Sequence, residues 1–166
     1  LKRLEVIDTN VAVAANGRET HVGSPCALRC IDALKGARSS AIVLHDGLGH
    51  IFDEYRRYLS PTGQPGTGDA FFKWLWDNQA NPEHCRRVPI TLRPGQERDF
   101  EEIPRDPDLL RLDPSDRVFL ATALAAGAGS VVVNATDSHW RQVREAANRH
   151  GITVENLCPE HMSSGG

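Results

Sequence analysis

The sequence predicts an α/β fold built on a mostly parallel sheet covered on both faces. Two observations carry this reading. Short apolar runs of strand length recur along the chain, and amphipathic segments of helical period separate them. A third observation narrows it. Neither GxGxxG nor GxxxxGKS/T occurs, so the phosphate loops of the two best-known nucleotide-binding versions of this architecture are missing.

The run 4–7 (LEVI), apolar apart from Glu5, leads into Asp8 and reads as a buried strand. Residues 24–37 follow a Ser-Pro start, with Ala27, Leu28, Ile31 and Leu34 at helical spacing. Residues 41–44 (AIVL) form a second strand, and Asp46 opens a helix running to about residue 59. The segment 60–68 (SPTGQPGTG) is a Pro/Gly loop, after which Asp69 caps a helix bearing Phe71, Phe72, Trp74, Leu75 and Trp76. A third strand is expected over 87–92, and 94–112 is polar and irregular, with room for one short helix. Residues 115–126 make a helix, 130–133 a strand, and 138–150 a helix that Gly151 ends. A last strand, 152–154, precedes an unstructured Ser/Gly tail. The domain thus covers 1–158, with 159–166 as the tail.

A chain of 166 residues, 40% apolar and 25% charged, fits one domain with a sizeable core. It begins at Leu1 rather than Met, and no N-terminal stretch has the order of a signal peptide. No apolar run is long enough to span a bilayer, so no membrane association is expected. The four cysteines form no CxxC pair. Cys26 and Cys30 lie four apart in a helix, where buried free thiols are expected, and a reducing cytoplasm follows. The net charge of −3 and pI near 6.2 count mildly against a nucleic-acid binder. A site crowded with carboxylates is itself a negative contribution, however, and bound metal cancels it.

Four separated acids are the candidates for such a site. In a parallel α/β sheet, residues just after a strand and at the start of the next helix share the carboxyl edge. Asp8 ends the first strand, Asp137 follows the strand 130–133, and Asp116 lies in the first turn of a helix. Glu54 emerges from a helical wheel at about 100° per residue. Leu48, Ile51, Phe52, Tyr55 and Leu59 make an apolar stripe, with Glu54 at its border beside Tyr58 and Asp53 turned away. Like charges a few ångströms apart raise one another's pKa, and hard divalent cations such as Mg²⁺ or Mn²⁺ relieve them. Such ions activate water and steady both oxygens in phosphodiester hydrolysis. Zinc would want His or Cys ligands, and the seven histidines show no HExxH spacing.

Taken in order, these segments resemble the motifs of PIN domains. Val6-Ile7-Asp8-Thr9-Asn10-Val11 is similar to the opening motif, and the stretch 51–59 (IFDEYRRYL) to the central helix, whose functional acid falls on Glu54. The stretch 113–124 (DPSDRVFLATAL) resembles the third motif, with Asp116 as its acid, and 132–140 (VVNATDSHW) the fourth, with Asp137. Ala135 stands where the family has Thr, and Thr136 offers a hydroxyl one position later. The Pro/Gly loop and the Phe/Trp helix look like an elaboration. The resemblance implies a three-layer α/β/α sandwich with a five-stranded parallel sheet. It also implies an Mg²⁺- or Mn²⁺-dependent endoribonuclease, either the toxin of a toxin–antitoxin pair or an RNA-processing enzyme. Its metal-holding and catalytic acids would be Asp8, Glu54, Asp116 and Asp137, supported by Thr9, Asn10, Asn134 and Thr136.

Each residue also has an ordinary use. Asp8 can turn the chain, with Thr9-Asn10 capping a short helix beyond, and Asp116 can complement a helix dipole. Asp46, Asp113 and Asp137 are suited to capping, and Glu54 to pairing with Arg57 or Tyr58. Phe71, Phe72 and Leu75 are expected in the core, leaving Trp74 or Trp76 for packing, a homodimer contact or stacking on a base. Arg56, Arg57, Lys73, Arg141 and Arg144 are candidate phosphate contacts, although for each alone a solvated charge is the default. The partners expected are RNA, with a cognate antitoxin or a second copy in the toxin reading. Two other functions remain open at this point: an inactive PIN-like binding module, and a phosphatase with a nucleophilic Asp after the first strand. The phosphatase pattern usually sets a second acid two residues on, where this chain has Asn10.

Overall fold

A computed structural model describes residues 1–17 and 22–162 of the chain. Its strands are β1 (Arg3–Ile7), β2 (Ala41–Asp46), β3 (Cys85–Val88), β4 (Val131–Asn134) and β5 (Thr153–Asn156). They form one sheet in the order β3-β2-β1-β4-β5, and every pairing is parallel. Among the described residues six α-helices accompany them: α1 (Thr9–Ala15), α2 (Ser24–Ser40), α3 (His50–Tyr58), α4 (Thr67–Asn78), α5 (Arg117–Ala126) and α6 (Ser138–Arg149). The result is the expected three-layer α/β/α sandwich.

The strand order places the site. From β1 the chain moves outward through β2 to β3, then returns past β1 to β4 and β5. Connections therefore leave β1 and β4 in opposite directions, which opens a crevice between their carboxyl ends. Helices α1, α2 and α4 pack on one another, with α2 against β2, while α5 lies across β1, β2 and β4. Helix α3 touches both α1 and α5, so it stands at the crevice rather than inside either layer. The central strands are buried on both faces, as Val6, Ile7, Val43, Leu44, Val132 and Val133 show.

Several boundaries differ from the sequence reading, each for a local reason. The third strand runs 85–88 rather than 87–92, because Pro89 has no N–H for the ladder. Strand β2 continues to Asp46, and α3 starts only at His50 after Gly49 takes a left-handed φ of 81°. Leu48 consequently precedes the helix and is exposed instead of joining its apolar stripe. Helix α4 begins at Thr67, before Asp69. Its entry passes so close to α1 that a Cβ on Gly68 would stand 1.9 Å from the Ala12 carbonyl oxygen, which is why glycine is required there.

The cysteine expectation is half corrected. Cys26 is not a free thiol: it forms a disulfide with Cys158, 132 residues away in sequence. Spacing along the chain could not reveal this pair, because only the return through α6 and β5 brings residue 158 beside the start of α2. The same strap is fastened by Arg29, which donates to the Leu157 carbonyl at 2.7 Å and pairs with Glu160. Cys30 and Cys85 are free and buried, and burial pushes both thiols up to about 11. A compartment inferred from unpaired cysteines loses that support. The tail also departs from expectation: residues 159–161 form a 3₁₀ turn and Met162 is buried, while 163–166 lie outside the described residues. Among the described residues no helix is long and apolar enough to cross a membrane.

Candidate functional site

The crevice between β1 and β4 is lined by Asp8, Glu54, Asp116 and Asp137, together with Thr9, Asn10, Ser115 and Phe119. Four acids far apart in sequence therefore share one cleft. Each reaches it by a different local device.

Asp8 follows β1 directly and is the N-cap of α1, accepting the Asn10 N–H at 3.1 Å. Its second oxygen accepts the indole N–H of Trp140 at 2.7 Å. It is buried, and desolvation pushes its carboxyl up to about 6; the two donors pull it down, and the charges of Asp137 and Glu54 push it up further. Asp116 ends the 3₁₀ turn Pro114–Asp116 that leads into α5. Its carboxyl is pushed higher, to about 9. Burial is the largest cause, followed by the Asp8 charge, a hydrogen bond with the Asp137 carboxyl, and the charges of Asp137 and Asp113. Asp137 is the N-cap of α6, accepting from the His139 N–H at 2.9 Å.

Glu54 and Asp53 separate as the helical wheel requires. The Glu54 side chain keeps 19% of its surface exposed and lies 3.6 Å from the Arg57 guanidinium. Asp53 keeps 68% and pairs with Arg56 at 3.0 Å on the outer side. The phase of α3 is set by Tyr55, whose hydroxyl donates to the Ile7 carbonyl at 2.6 Å beneath the cleft.

The polar residues around the acids divide into ties and free groups. Asn10 donates to the Asn134 side-chain carbonyl at 2.8 Å and accepts the Ala135 N–H at 3.0 Å. Asn134 donates to the Asp137 carbonyl at 3.0 Å and to Asn156 at 2.9 Å. These amides lock the ends of β1, β4 and β5 together and so fix Asp8 against Asp137. Thr136, expected to supply a hydroxyl, does not line the cleft. Thr9 does line it, beside Ser115 and Tyr58; it is 7% exposed, and among the described residues its Oγ1 has no hydrogen-bond partner. A buried hydroxyl without a protein partner is costly unless a water or ligand meets it.

Such a donor set fits a hard divalent cation. It consists of carboxylate oxygens with a free hydroxyl, few of its charges are compensated, and it sits at a switch point. Asp113 stands apart from the cleft as the cap of its turn, accepting the Ser115 N–H at 2.9 Å. The Ser115 hydroxyl and N–H hold its carboxyl below the usual range. Asp46 is likewise structural: it accepts the N–H groups of Leu48, His50 and Ile51.

The candidate phosphate contacts scatter. Arg57 borders a second hollow that shares Glu54 and Ser115 with the cleft and is also lined by His50, Asp53, Glu97, Arg98 and Phe100. Arg56 instead stacks over Trp76, 4.9 Å from its ring centre, and Lys73 pairs with Asp77 at 2.7 Å. Arg141 lines a shallow surface hollow with Arg144. Trp74 packs against Phe71 and His84, whereas Trp76 remains half exposed against Phe52. Sequence reasoning missed Trp140, His139 and Arg98. Trp140 reads as an inward apolar residue of α6, and its indole N–H becomes meaningful only once Asp8 is seen beneath it. His139 stands two residues after Asp137, and its Nδ1 lies 3.0 Å from that carboxylate.

Compared with protein-family models the chain matches none, and comparison with curated proteins likewise finds no match.

Proposed function

We propose that this protein is a divalent-metal-dependent endoribonuclease of the PIN-domain type that hydrolyses single-stranded RNA. The observation carrying the proposal is the convergence of Asp8, Glu54, Asp116 and Asp137 on one cleft with the unpartnered Thr9 hydroxyl. Asp8, Asp116 and Asp137 are the residues that would hold Mg²⁺ or Mn²⁺, with Glu54 on the opposite wall. When bound, the ion supplies a water activated at neutral pH and positive charge opposite the scissile phosphate. The protein's own groups supply position. Trp140 and the Asn10 N–H fix the Asp8 carboxylate, and the Asn10–Asn134 pair fixes the distance between β1 and β4. Glu54 is available to accept a proton from water on the wall facing the three aspartates. Arg57 and Arg98 offer charge to a neighbouring phosphate along the adjoining hollow, whose own acids Asp53 and Glu97 restrict where that phosphate can sit.

Incubation with single-stranded RNA and Mn²⁺, beside a small phosphomonoester, tests this directly. RNA cleavage that chelator abolishes, with the monoester untouched, is the expected result. Monoester hydrolysis alone would turn the site into a phosphatase. RNA binding without cleavage would make it an inactive module.

A further inference from the structure

We propose that His139 supplies a nitrogen ligand to the divalent ion held at Asp116 and Asp137, and that this nitrogen favours Mn²⁺ over Mg²⁺. The inference rests on the reading of the cleft as a metal centre and adds a residue that neither the helical wheel nor the four motifs pointed to. Its ground is geometry. One ligand atom each from Asp116, Asp137 and His139 can be chosen so that all three lie within 4.8 Å of one another, a spacing that a single ion can bridge. The ring is turned toward the cluster, with Nδ1 3.0 Å from Asp137 Oδ1, while the His139 backbone N–H holds that same oxygen at 2.9 Å. Helix α6 thus sets carboxylate and imidazole side by side at its first turn. The acids do not make the case alone: Thr9, nine-tenths buried and lining the same cleft, presents an oxygen with no partner.

The chemistry of the donors gives the selectivity. Mg²⁺ demands oxygen ligands and keeps its waters, so it gains little from an imidazole. Transition-metal ions accept imidazole nitrogen readily. A site of carboxylates alone separates the two ions weakly; one nitrogen among the ligands separates them further. The ring is half exposed, so it can rotate to release or take up the ion without disturbing the core.

Pulsed EPR of Mn²⁺ bound at no more than one ion per chain reads the ligand itself. Wild-type protein should show ¹⁴N modulation from a coordinated imidazole, and His139→Gln should lose it. In parallel, His139→Gln should weaken Mn²⁺ binding about tenfold, in the range expected for groups that tune a metal site. Mg²⁺ binding, measured by competition, should change less than about twofold. Wild-type Mn²⁺ lacking ¹⁴N modulation, modulation that survives in His139→Gln, or equal weakening of both ions would each overturn the role of His139. Asp116→Asn separates this from failure of the site. If it abolishes Mn²⁺ binding, the ion is in this cleft and any such result bears on His139 alone. If Mn²⁺ does not bind, or binds as well in Asp116→Asn, the metal-centre reading falls and the histidine with it.

Discussion

Asp69 is withdrawn from water completely and Asp116 in part, yet the protein treats them in opposite ways. Asp69 is fully buried and surrounded by donors: the N–H of Ser60 at 2.8 Å, the N–H of Gly66 at 3.0 Å and the side-chain amide of Asn16 at 3.2 Å. Its carboxylate holds the Pro/Gly loop against α4 and α1. Asp116 shares its cleft with Asp8 and Asp137 instead, and their charges help push its carboxyl up. Asp46 belongs with Asp69, since three N–H groups surround it. Burial alone does not separate the two kinds, since Asp8 in the cleft is 4% exposed and Asp46 2%. The identity of the neighbours does. A carboxylate ringed by donors has its charge met within the protein, whereas the proposed function gives the one set among other carboxylates a cation.

That contrast yields four expectations, from the largest effect to the smallest. Asp116→Asn should abolish Mn²⁺-dependent RNA cleavage while RNA binding persists or tightens, measured by gel assay and fluorescence anisotropy. Undiminished cleavage would put Asp116 with Asp69 after all. Next comes stability. Asp69→Ala strands three donors and should cost on the order of 3–5 kcal/mol in urea unfolding. Asp116→Asn, in metal-free protein, should cost nothing or stabilise. Asp8 is the mixed case, because Asp8→Asn relieves repulsion but gives up an acceptor for Trp140 or Asn10, a loss of about 1 kcal/mol. A similar stability loss for Asp69→Ala and Asp116→Asn would erase the comparison.

The third expectation concerns pH in metal-free protein. A carboxyl whose folded-state pKa is raised binds its proton more tightly in the folded than in the unfolded chain, so stability falls as pH rises. For Asp116 that contribution is complete below the unfolded value near 4 and is lost as pH climbs through about 9. Asp8 adds the same sign over the narrower span up to about 6. Thermal unfolding between pH 5 and 9 should show the decline, and Asp116→Asn should flatten it. A rise in stability over that range would show that these acids are compensated from within the protein. The smallest effect is the control. Asp53→Asn should leave cleavage intact and change stability by less than about 0.5 kcal/mol, as an exposed position allows. Glu54→Gln should impair cleavage. Equal behaviour of the two would mean that the phase of α3 does not matter.

Much of this was legible because the signals are local or topological. Strand-length apolar runs gave the sheet, and the rule that strand ends share an edge brought Asp8, Asp116 and Asp137 together from positions far apart. The border of the wheel separated Glu54 from Asp53. What stayed hidden depends on contacts between distant segments. Nothing in the spacing of Cys26 and Cys158 marks them as partners. Trp140 looks like a core residue because its apolar ring outweighs its one N–H, and only the fold shows that N–H on Asp8. The arginines could not be sorted for a related reason: Arg56 and Arg57 are adjacent, but about 100° of helix sends one to Trp76 and the other to the hollow beside the acids. Motif position offered Thr9 and Thr136 alike, and only the fold shows that Thr9 is the one lining the cleft.

The central claim is that the acids facing one another are reserved for a metal ion, and locating that ion tests it most directly. Crystals soaked in Mn²⁺ and measured at an energy where manganese scatters anomalously would show where it binds. An anomalous peak is expected between β1 and β4, bonded to oxygens of Asp8, Asp116 and Asp137, with no peak at Asp46 or Asp69. A cleft without manganese, or a peak at the donor-satisfied acids instead, would contradict it.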